Sequence, residues 1–190
     1  MKSWPHPNRA IDPLTLTAAQ FERWVRSWLK AAAGSDARVR VTRQRKVEGL
    51  AGDYAIDVLA ETTIFNGAKL CVVVECKRQK TRVKRDLVLT LKAKKDDLGA
   101  HKAMMFSTGG FQKGAITYAA KHGIALVQVD SGTSAYITKS ENASPLLPYY
   151  LSPLVGWLIA DDRITVVSEA YPEALADYLA RDETTLKKTP

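Results

Sequence analysis

The sequence predicts an α/β protein with a central mixed β-sheet flanked by helices. Three observations carry that expectation. Helical and strand-like periodicities alternate from about Leu16 to Val129. The run Leu70-Cys71-Val72-Val73-Val74 is apolar at successive positions, as a strand covered on both faces must be. Glycines stand where helices must give way to strands, at Gly34, Gly99 and Gly123. A chain of 190 residues has the length of one domain, or of one domain with an appended subdomain, and its 46% apolar and 25% charged composition excludes extensive disorder.

Thr17-Ala18-Ala19-Gln20 has the pattern of a capping box, and Leu16 and Phe21 are placed as a hydrophobic staple, so a helix is expected to start here. Phe21, Trp24, Val25, Trp28 and Leu29 recur at helical spacing up to Gly34. Ala37 to Val41 alternates as a half-buried strand does, and Asp53 to Ile64 reads as a second strand in which Ala55-Ile56 and Val58-Leu59 flank Asp57. Asn66-Gly67 is a turn signal, and Lys69 to Lys77 beyond it is a central strand that becomes charged at Glu75. Val83, Leu87, Val88 and Leu91 form the apolar stripe of the next helix. A strand follows at Ala103 to Phe106, then the loop Ser107-Thr108-Gly109-Gly110, a helix from about Phe111 to His122, and a strand from Ile124 to Val129. The order implies a meander followed by right-handed crossovers. Pro145, Pro148 and Pro153 mark an extended connection, after which a short helix at Leu154 to Ile159, a strand at Arg163 to Val167 and a helix at Tyr171 to Ala180 are expected. The chain is thereby divided into a domain over 1–140 and a C-terminal α/β extension over 141–190 that packs on it.

No apolar run approaches the roughly 20 residues of a spanning helix, and Met1 to Pro7 lacks the apolar centre of a signal peptide, so no membrane association and a cytoplasmic location are expected. Cys71 and Cys76 are an odd number of positions apart in one strand and point to opposite faces, which excludes a disulfide or a zinc pair between them. The formal charge is +8, and the segment Lys69 to Lys102 alone holds eleven basic and four acidic residues. A localised basic stretch on a folded chain implies a polyanion partner.

The chemically loaded feature is Asp57 in one strand and Glu75-Cys76-Lys77 at the end of its hairpin partner. Whether they converge is a matter of register. A two-residue turn at Asn66-Gly67 pairs Asp57 with Cys76, which puts Glu75 on the other face. A three-residue loop, with Gly67 in the left-handed position of a G1 bulge, sets Ile64 against Ala68 and Asp57 against Glu75. Asp57, Glu75 and Lys77 then share one face. Two carboxylates held close repel each other unless a cation lies between them, and oxygen ligation with open positions suits Mg²⁺ or Mn²⁺. With Lys77 to donate to a phosphate oxygen or an attacking water, metal and lysine together point to phosphodiester hydrolysis. On carboxylate spacing alone, an Asp57 at a turn and an exposed Glu75–Lys77 ion pair is an equally good account. The abrupt Glu-X-Lys at the end of a buried strand favours a cleft, where α/β active sites lie.

These residues resemble the PD-(D/E)XK nucleases and, within them, the Mrr-type restriction endonuclease domain. The resemblance lies in Gly52-Asp53-Tyr54-Ala55-Ile56-Asp57-Val58, in Val73-Val74-Glu75-Cys76-Lys77-Arg78, and in Phe106-Ser107-Thr108-Gly109-Gly110-Phe111 with the helix carrying Ala115 and Ala119. Phe21-Glu22 on the opening helix is similar to the family's first helix. The resemblance covers roughly Leu16 to Val129 and implies a restriction-endonuclease-like core. It further implies Mg²⁺-dependent hydrolysis of DNA, with Asp57 and Glu75 as metal ligands, Lys77 at the water or phosphate, and Glu22 as an auxiliary acid. The chain departs from the pattern in carrying Glu75 where many Mrr-type members have glutamine, and Ile56 in place of a proline. Archaeal Holliday-junction resolvases are similar too, which keeps a structure-specific nuclease open beside a restriction or anti-phage defence enzyme. A non-catalytic DNA-binding module on the same fold is the third reading. For Glu22 an ion pair with Arg26, four residues on, is an equally natural role.

Arg78, Lys80, Arg82, Lys84 and Arg85 follow the candidate lysine, and Lys92, Lys94 and Lys95 continue the charge along the next helix. They are expected to track a DNA backbone, with Thr108, Gly109 and Gly110 offering N–H groups to a phosphate, unless that loop is a simple turn. His101 and His122 are assigned no catalytic role; His122 precedes a capping glycine, where its charge suits the helix end. Nothing in the sequence has the pattern of a helix-turn-helix, a zinc module or a nucleotide-binding loop. Target choice is therefore expected to come from DNA structure, or from a recognition or motor subunit on another chain. Cutting both strands with one such site calls for a homodimer, with Tyr149, Tyr150, Leu151, Leu154, Trp157 and Leu158 as candidate interface residues, although ordinary core packing accounts for them as well.

Overall fold

The computed structural model describes residues 11–34, 39–64, 68–131, 152–160 and 163–180. Its first helix, α1 (Ala18–Ala33), opens on a complete capping box: the Gln20 N–H donates to Thr17 Oγ1 at 3.2 Å and the Thr17 N–H donates to Gln20 Oε1 at 2.7 Å. Phe21, Val25, Trp28 and Leu29 form its buried stripe, and Gly34 at φ 61° ends it.

Seven strands follow in one sheet, ordered as they occur in the chain: β1 (Val39–Glu48), β2 (Asp53–Ile64), β3 (Ala68–Lys77), β4 (Lys102–Ser107), β5 (Ile124–Ser131), β6 (Leu154–Ala160) and β7 (Arg163–Val167). The β3–β4 and β4–β5 pairs are parallel and the others antiparallel, so the sheet is mixed, as the sequence predicts. The two parallel steps are made by α2 (Arg85–Asp97) and α3 (Lys113–Lys121), which pack against each other over Val73, Met105 and Leu126. On the other face α1 and α4 (Glu173–Ala180) cover Val58, Val74, Phe106 and Val127. Cys71 packs toward the α2 side and Cys76 toward the α1 side, both as free thiols, which agrees with the odd offset between them.

The expected short helix at Leu154 to Ile159 is instead β6, paired antiparallel with β5. A run this short is under two helical turns and apolar on both faces, and burial between two layers favours a strand. Gly156 permits the approach, since a Cβ there would lie 2.9 Å from Trp28 Cζ3 and 2.7 Å from Val127 Cγ1. Leu154 and Leu158 are consequently core residues and not interface residues; Tyr149, Tyr150, Leu151, Pro145 and Pro148 lie outside the described residues. β1 also runs past the expected end at Val41, because Arg43, Arg45 and Lys46 mask its alternation. The expected strand at Arg163 to Val167 and the final helix are present.

The last helix is fastened by a buried lysine. Lys102, 8% exposed at the start of β4, donates from Nζ to the carbonyls of Tyr178 at 2.5 Å and Leu179 at 2.9 Å, and lies 5.1 Å from the Tyr178 ring centroid. The charge thus meets the negative end of α4.

Candidate active site

The β2–β3 register decides which side chains meet. Ile64 pairs with Ala68, and the ladder runs back to Val58↔Val74 with the same offset. Continued by one position, that offset sets Asp57 against Glu75, which is the three-residue-loop alternative; the loop itself, 65–67, lies outside the described residues. The ladder ends at this point because Asp57 turns its carboxylate into the gap and accepts from the Cys76 N–H at 2.7 Å.

β2 also changes face here. Val58 and Ala60 belong to the core under α1, whereas Ile56, which strict alternation would place beside them, belongs with Leu59 to the core under α2. On β1, Gln44 falls between the paired Arg43↔Val58 and Arg45↔Ile56, directly across from Asp57, and adopts φ 49°. Among the described residues it is the sole non-glycine with positive φ, a conformation that costs on the order of 1 kcal/mol. The end of the β1–β2 hairpin therefore bends onto α2, where Val47 and Tyr54 pack beside Ile56. Its tip is tied down by Asp97, whose carboxylate accepts from the Ala51 N–H at 3.0 and 3.1 Å and whose carbonyl accepts from the Leu50 N–H at 3.3 Å.

Glu75 is clamped between two ammonium groups: Lys77 Nζ lies 2.6 Å from Oε1, and Lys94 Nζ, from α2, lies 3.0 Å from Oε2. Burial raises its pKa, but the two lysines outweigh burial and hold the carboxyl below the usual glutamate range. Asp57 is shifted the other way. Burial is the main cause and the neighbouring Glu75 charge adds to it, against the opposing pull of the Cys76 N–H, Lys77 and Lys94. Glu22, 9% exposed on α1, is raised by burial and then by Asp57, with Arg43 opposing. Its guanidinium partner is Arg43 at 3.2 Å, not Arg26, whose Nε donates to the Val41 carbonyl at 3.0 Å instead. Glu22, Asp57 and Glu75 thus form one interacting chain of acids, reached from α1, β2 and β3.

The donor set fits a hard divalent cation. Asp57 and Glu75 offer carboxylate oxygens, and burial is the main cause of the upward shift at Asp57. Among the described residues no three or more His, Cys, Asp and Glu side chains are grouped to hold a metal. Two carboxylates would leave most positions of a hard divalent ion to water and substrate.

The basic residues separate into two sets. Arg78, Lys80, Arg82, Lys84 and Arg85 are exposed along the exit of β3 and the start of α2. Arg78 donates to the Leu14 carbonyl at 3.0 Å and Arg85 lies over the Tyr118 ring at 5.3 Å, while Lys80, Arg82 and Lys84 make no ion pair among the described residues. The helical lysines do not continue this surface. Lys92 pairs with Asp96, Lys94 points at Glu75, and Lys95 is 7% exposed. Lys94 and Lys95 stand three and four positions after the buried Leu91, on the buried side of α2, and that spacing was the available signal for an inward lysine.

The loop Thr108-Gly109-Gly110 is occupied internally. The Thr108 N–H donates to the Lys77 carbonyl at 3.1 Å, the Gly109 N–H donates to Ser107 Oγ at 3.2 Å, and Thr108 Oγ1 both accepts from the Gln79 N–H at 2.9 Å and donates to the Gln79 carbonyl at 2.8 Å. A Cβ on Gly109 would lie 2.2 Å from the Thr81 carbonyl oxygen. The loop holds the chain just past Lys77 against the end of β4, and these bonds engage the Thr108 and Gly109 N–H groups that the sequence reading offers to a phosphate. His101 Nδ1 accepts from the Cys71 N–H at 3.2 Å, and His122 stacks on Tyr118 at 4.1 Å, so both are structural.

Residues 14–131 of the 190 match the family model Mrr_cat, described as a restriction endonuclease. No curated protein matches the chain. Among solved structures it is similar to a protein of unknown function, AF1548, at 19% identity over 53% of this chain and 56% of that one, with a TM-score of 0.40. It is also similar to the DNA modification-dependent restriction endonuclease AspBHI, at 13% identity over 66% of this chain and 35% of that one, with a TM-score of 0.37. The chain spans about half of the first of these and a third of the second.

Proposed function

The chain belongs to the Mrr_cat family of restriction endonucleases, and on that premise we propose that it is a metal-dependent DNA endonuclease that hydrolyses phosphodiester bonds in restriction or anti-phage defence. The observation that carries this reading is the meeting of Asp57 with the Lys77–Glu75–Lys94 cluster at the end of paired strands. Asp57 and Glu75 are the metal ligands, for Mg²⁺ or Mn²⁺. Held there, the ion would supply Lewis-acid activation of a phosphate oxygen and of a water. Lys77 moves its hydrogen bond from Glu75 Oε1 to the attacking water or to a phosphate oxygen, where its charge offsets the negative charge that builds up at phosphorus. Glu22 acts beside Asp57 as the auxiliary acid, buried on α1 and held by Arg43. Arg78, Lys80, Arg82, Lys84 and Arg85 track the DNA backbone, which gives affinity without sequence information. The enzyme acts in the cytoplasm as a homodimer, with its targets selected by another subunit or by the form of the DNA.

The test is incubation of supercoiled plasmid and of a synthetic four-way junction with the protein in Mg²⁺, Mn²⁺ or EDTA, beside Lys77→Met. Metal-dependent cutting of plasmid, lost in the variant, is expected. Cutting of the junction alone would replace defence with junction resolution, and binding without cutting in either metal would leave a DNA-binding module in place of the enzyme.

A further inference from the structure

Lys94 belongs to the cluster above but has been given no task there, and its position gives it one. It comes from a different element than Lys77, reaches across from α2, and takes the Glu75 oxygen that Lys77 leaves free, at 3.0 Å with the two side chains 19% and 13% exposed. Between them the lysines engage both oxygens of Glu75. Counted formally, the carboxyl groups of Asp57 and Glu75 are matched by the side chains of Lys77 and Lys94. A cation that enters must take Glu75 away from at least one of them, and an ammonium displaced in a half-buried site needs a new anion.

We propose that Lys94 couples metal loading to DNA: it guards Glu75 against metal when no DNA is present and, once released, binds a phosphate oxygen of the substrate. The inference rests on the metal-nuclease reading and assigns a positioning residue within that site. Two features of the fold support it. Lys94 is one helical turn before Asp97, which is pinned to the tip of the β1–β2 hairpin, so its backbone is fixed while the side chain alone can swing. The α2 helix also begins at the exposed Lys84 and Arg85, so DNA lying on that basic run passes along the helix that carries Lys94. The arrangement would suppress metal-dependent reaction until substrate is in place.

The experiment is calorimetric titration of Mn²⁺ into wild type, Lys94→Met, Lys94→Gln and Glu75→Gln, each without DNA and then with a short duplex carrying non-hydrolysable linkages. Methionine keeps the unbranched stem, and glutamine keeps a donor without charge; circular dichroism checks that each variant is folded. Losing one charge-assisted hydrogen bond to Glu75 predicts that Lys94→Met binds Mn²⁺ about tenfold tighter than wild type without DNA, with Lys94→Gln between the two. With duplex present the gap is expected to close, because wild-type Lys94 has then left Glu75. Equal or weaker Mn²⁺ binding by both Lys94 variants, with Glu75→Gln abolishing it, would overturn the guard and leave the metal site standing. Mn²⁺ binding unaffected by Glu75→Gln, or absent from every variant, would overturn the metal site itself and the guard with it.

Discussion

Replacing Lys80, Arg82 and Lys84 together with glutamine tests where the DNA lies. These side chains are exposed and make no ion pair among the described residues, so their removal should cost little stability. Each phosphate neutralised on B-DNA contributes about −0.9 to the slope of log K against log salt. If all five residues from Arg78 to Arg85 contact phosphates, wild type should show a slope of about −4.5 and the triple variant about −1.8. The lost counterion release corresponds to about 500-fold weaker binding at 0.1 M salt and about 25-fold at 0.3 M, with the two lines converging toward 1 M. Anisotropy of a labelled duplex in EDTA, from 0.05 to about 0.3 M KCl, reads both quantities without cleavage. A triple variant with an unchanged slope would refute the reasoning and place the duplex on another surface. The same substitutions at Lys92 and Lys95 should leave the slope nearly unaltered, because those residues do not face outward with the others.

The two acids at the site should respond to pH in opposite senses. Asp57 has a raised pKa, so the native state binds its proton more readily; the associated stability is fully present below about 3.8 and is lost as pH rises through the raised value. Asp57→Asn, which keeps an acceptor for the Cys76 N–H, should therefore be as stable as wild type or more so at pH 7, with the difference vanishing below pH 3.8 in thermal melts. Glu75 has a lowered pKa, so it stabilises above about 4.5 and that contribution is lost as pH falls through the lowered value; Glu75→Gln should melt earlier at pH 7 and converge on wild type in acid. A destabilised Asp57→Asn at pH 7 would count against burial as the cause of the raised Asp57 pKa. Lys102→Met should lose about 2 kcal/mol in urea unfolding, since it removes two charge-assisted hydrogen bonds from the last carbonyls of α4, and an unchanged midpoint would show that α4 holds without the clamp.

What could be read from the sequence was what a local pattern records. The capping box at Thr17, the doubly apolar β3 and the Glu75-Cys76-Lys77 ending sit in contiguous residues, and helix α1, the central strand and the charged strand end appear where those patterns put them. The hairpin loop offered two registers, and the one that brings Asp57 to Glu75 was distinguishable only as a choice of turn geometry. β6 was misread because a short apolar run carries no period; its state is set by Trp28 and Val127 pressing on Gly156 from distant parts of the chain. The bend at Asp57 left a trace, in that Ile56 and Leu59 are three apart yet share a core, but nothing local announces that Gln44 on the other strand must twist to match. Lys94 was hidden by composition, since eleven basic residues in one segment suggest a surface before they suggest a pair of lysines turned inward.

The bend and the inward lysine have one physical origin. An antiparallel hairpin that stayed flat beyond Asp57 would bury Val47, Tyr54 and Ile56 against nothing on one face of the sheet's end. Turning at Gln44 and Asp57 lays those side chains on α2 and brings the hairpin tip to the Asp97 carboxylate. The same turn lifts Asp57 out of the ladder, so that its carboxylate takes the Cys76 N–H in place of a strand partner and stands free to meet Glu75. Because α2 is also tied at Asp97 to that hairpin, Lys94 reaches Glu75 from a helix joined to the bent strand. The strained backbone at Gln44, costing on the order of 1 kcal/mol, is thus offset by hydrophobic contact on α2 and fixes three charged groups from β2, β3 and α2 around one point.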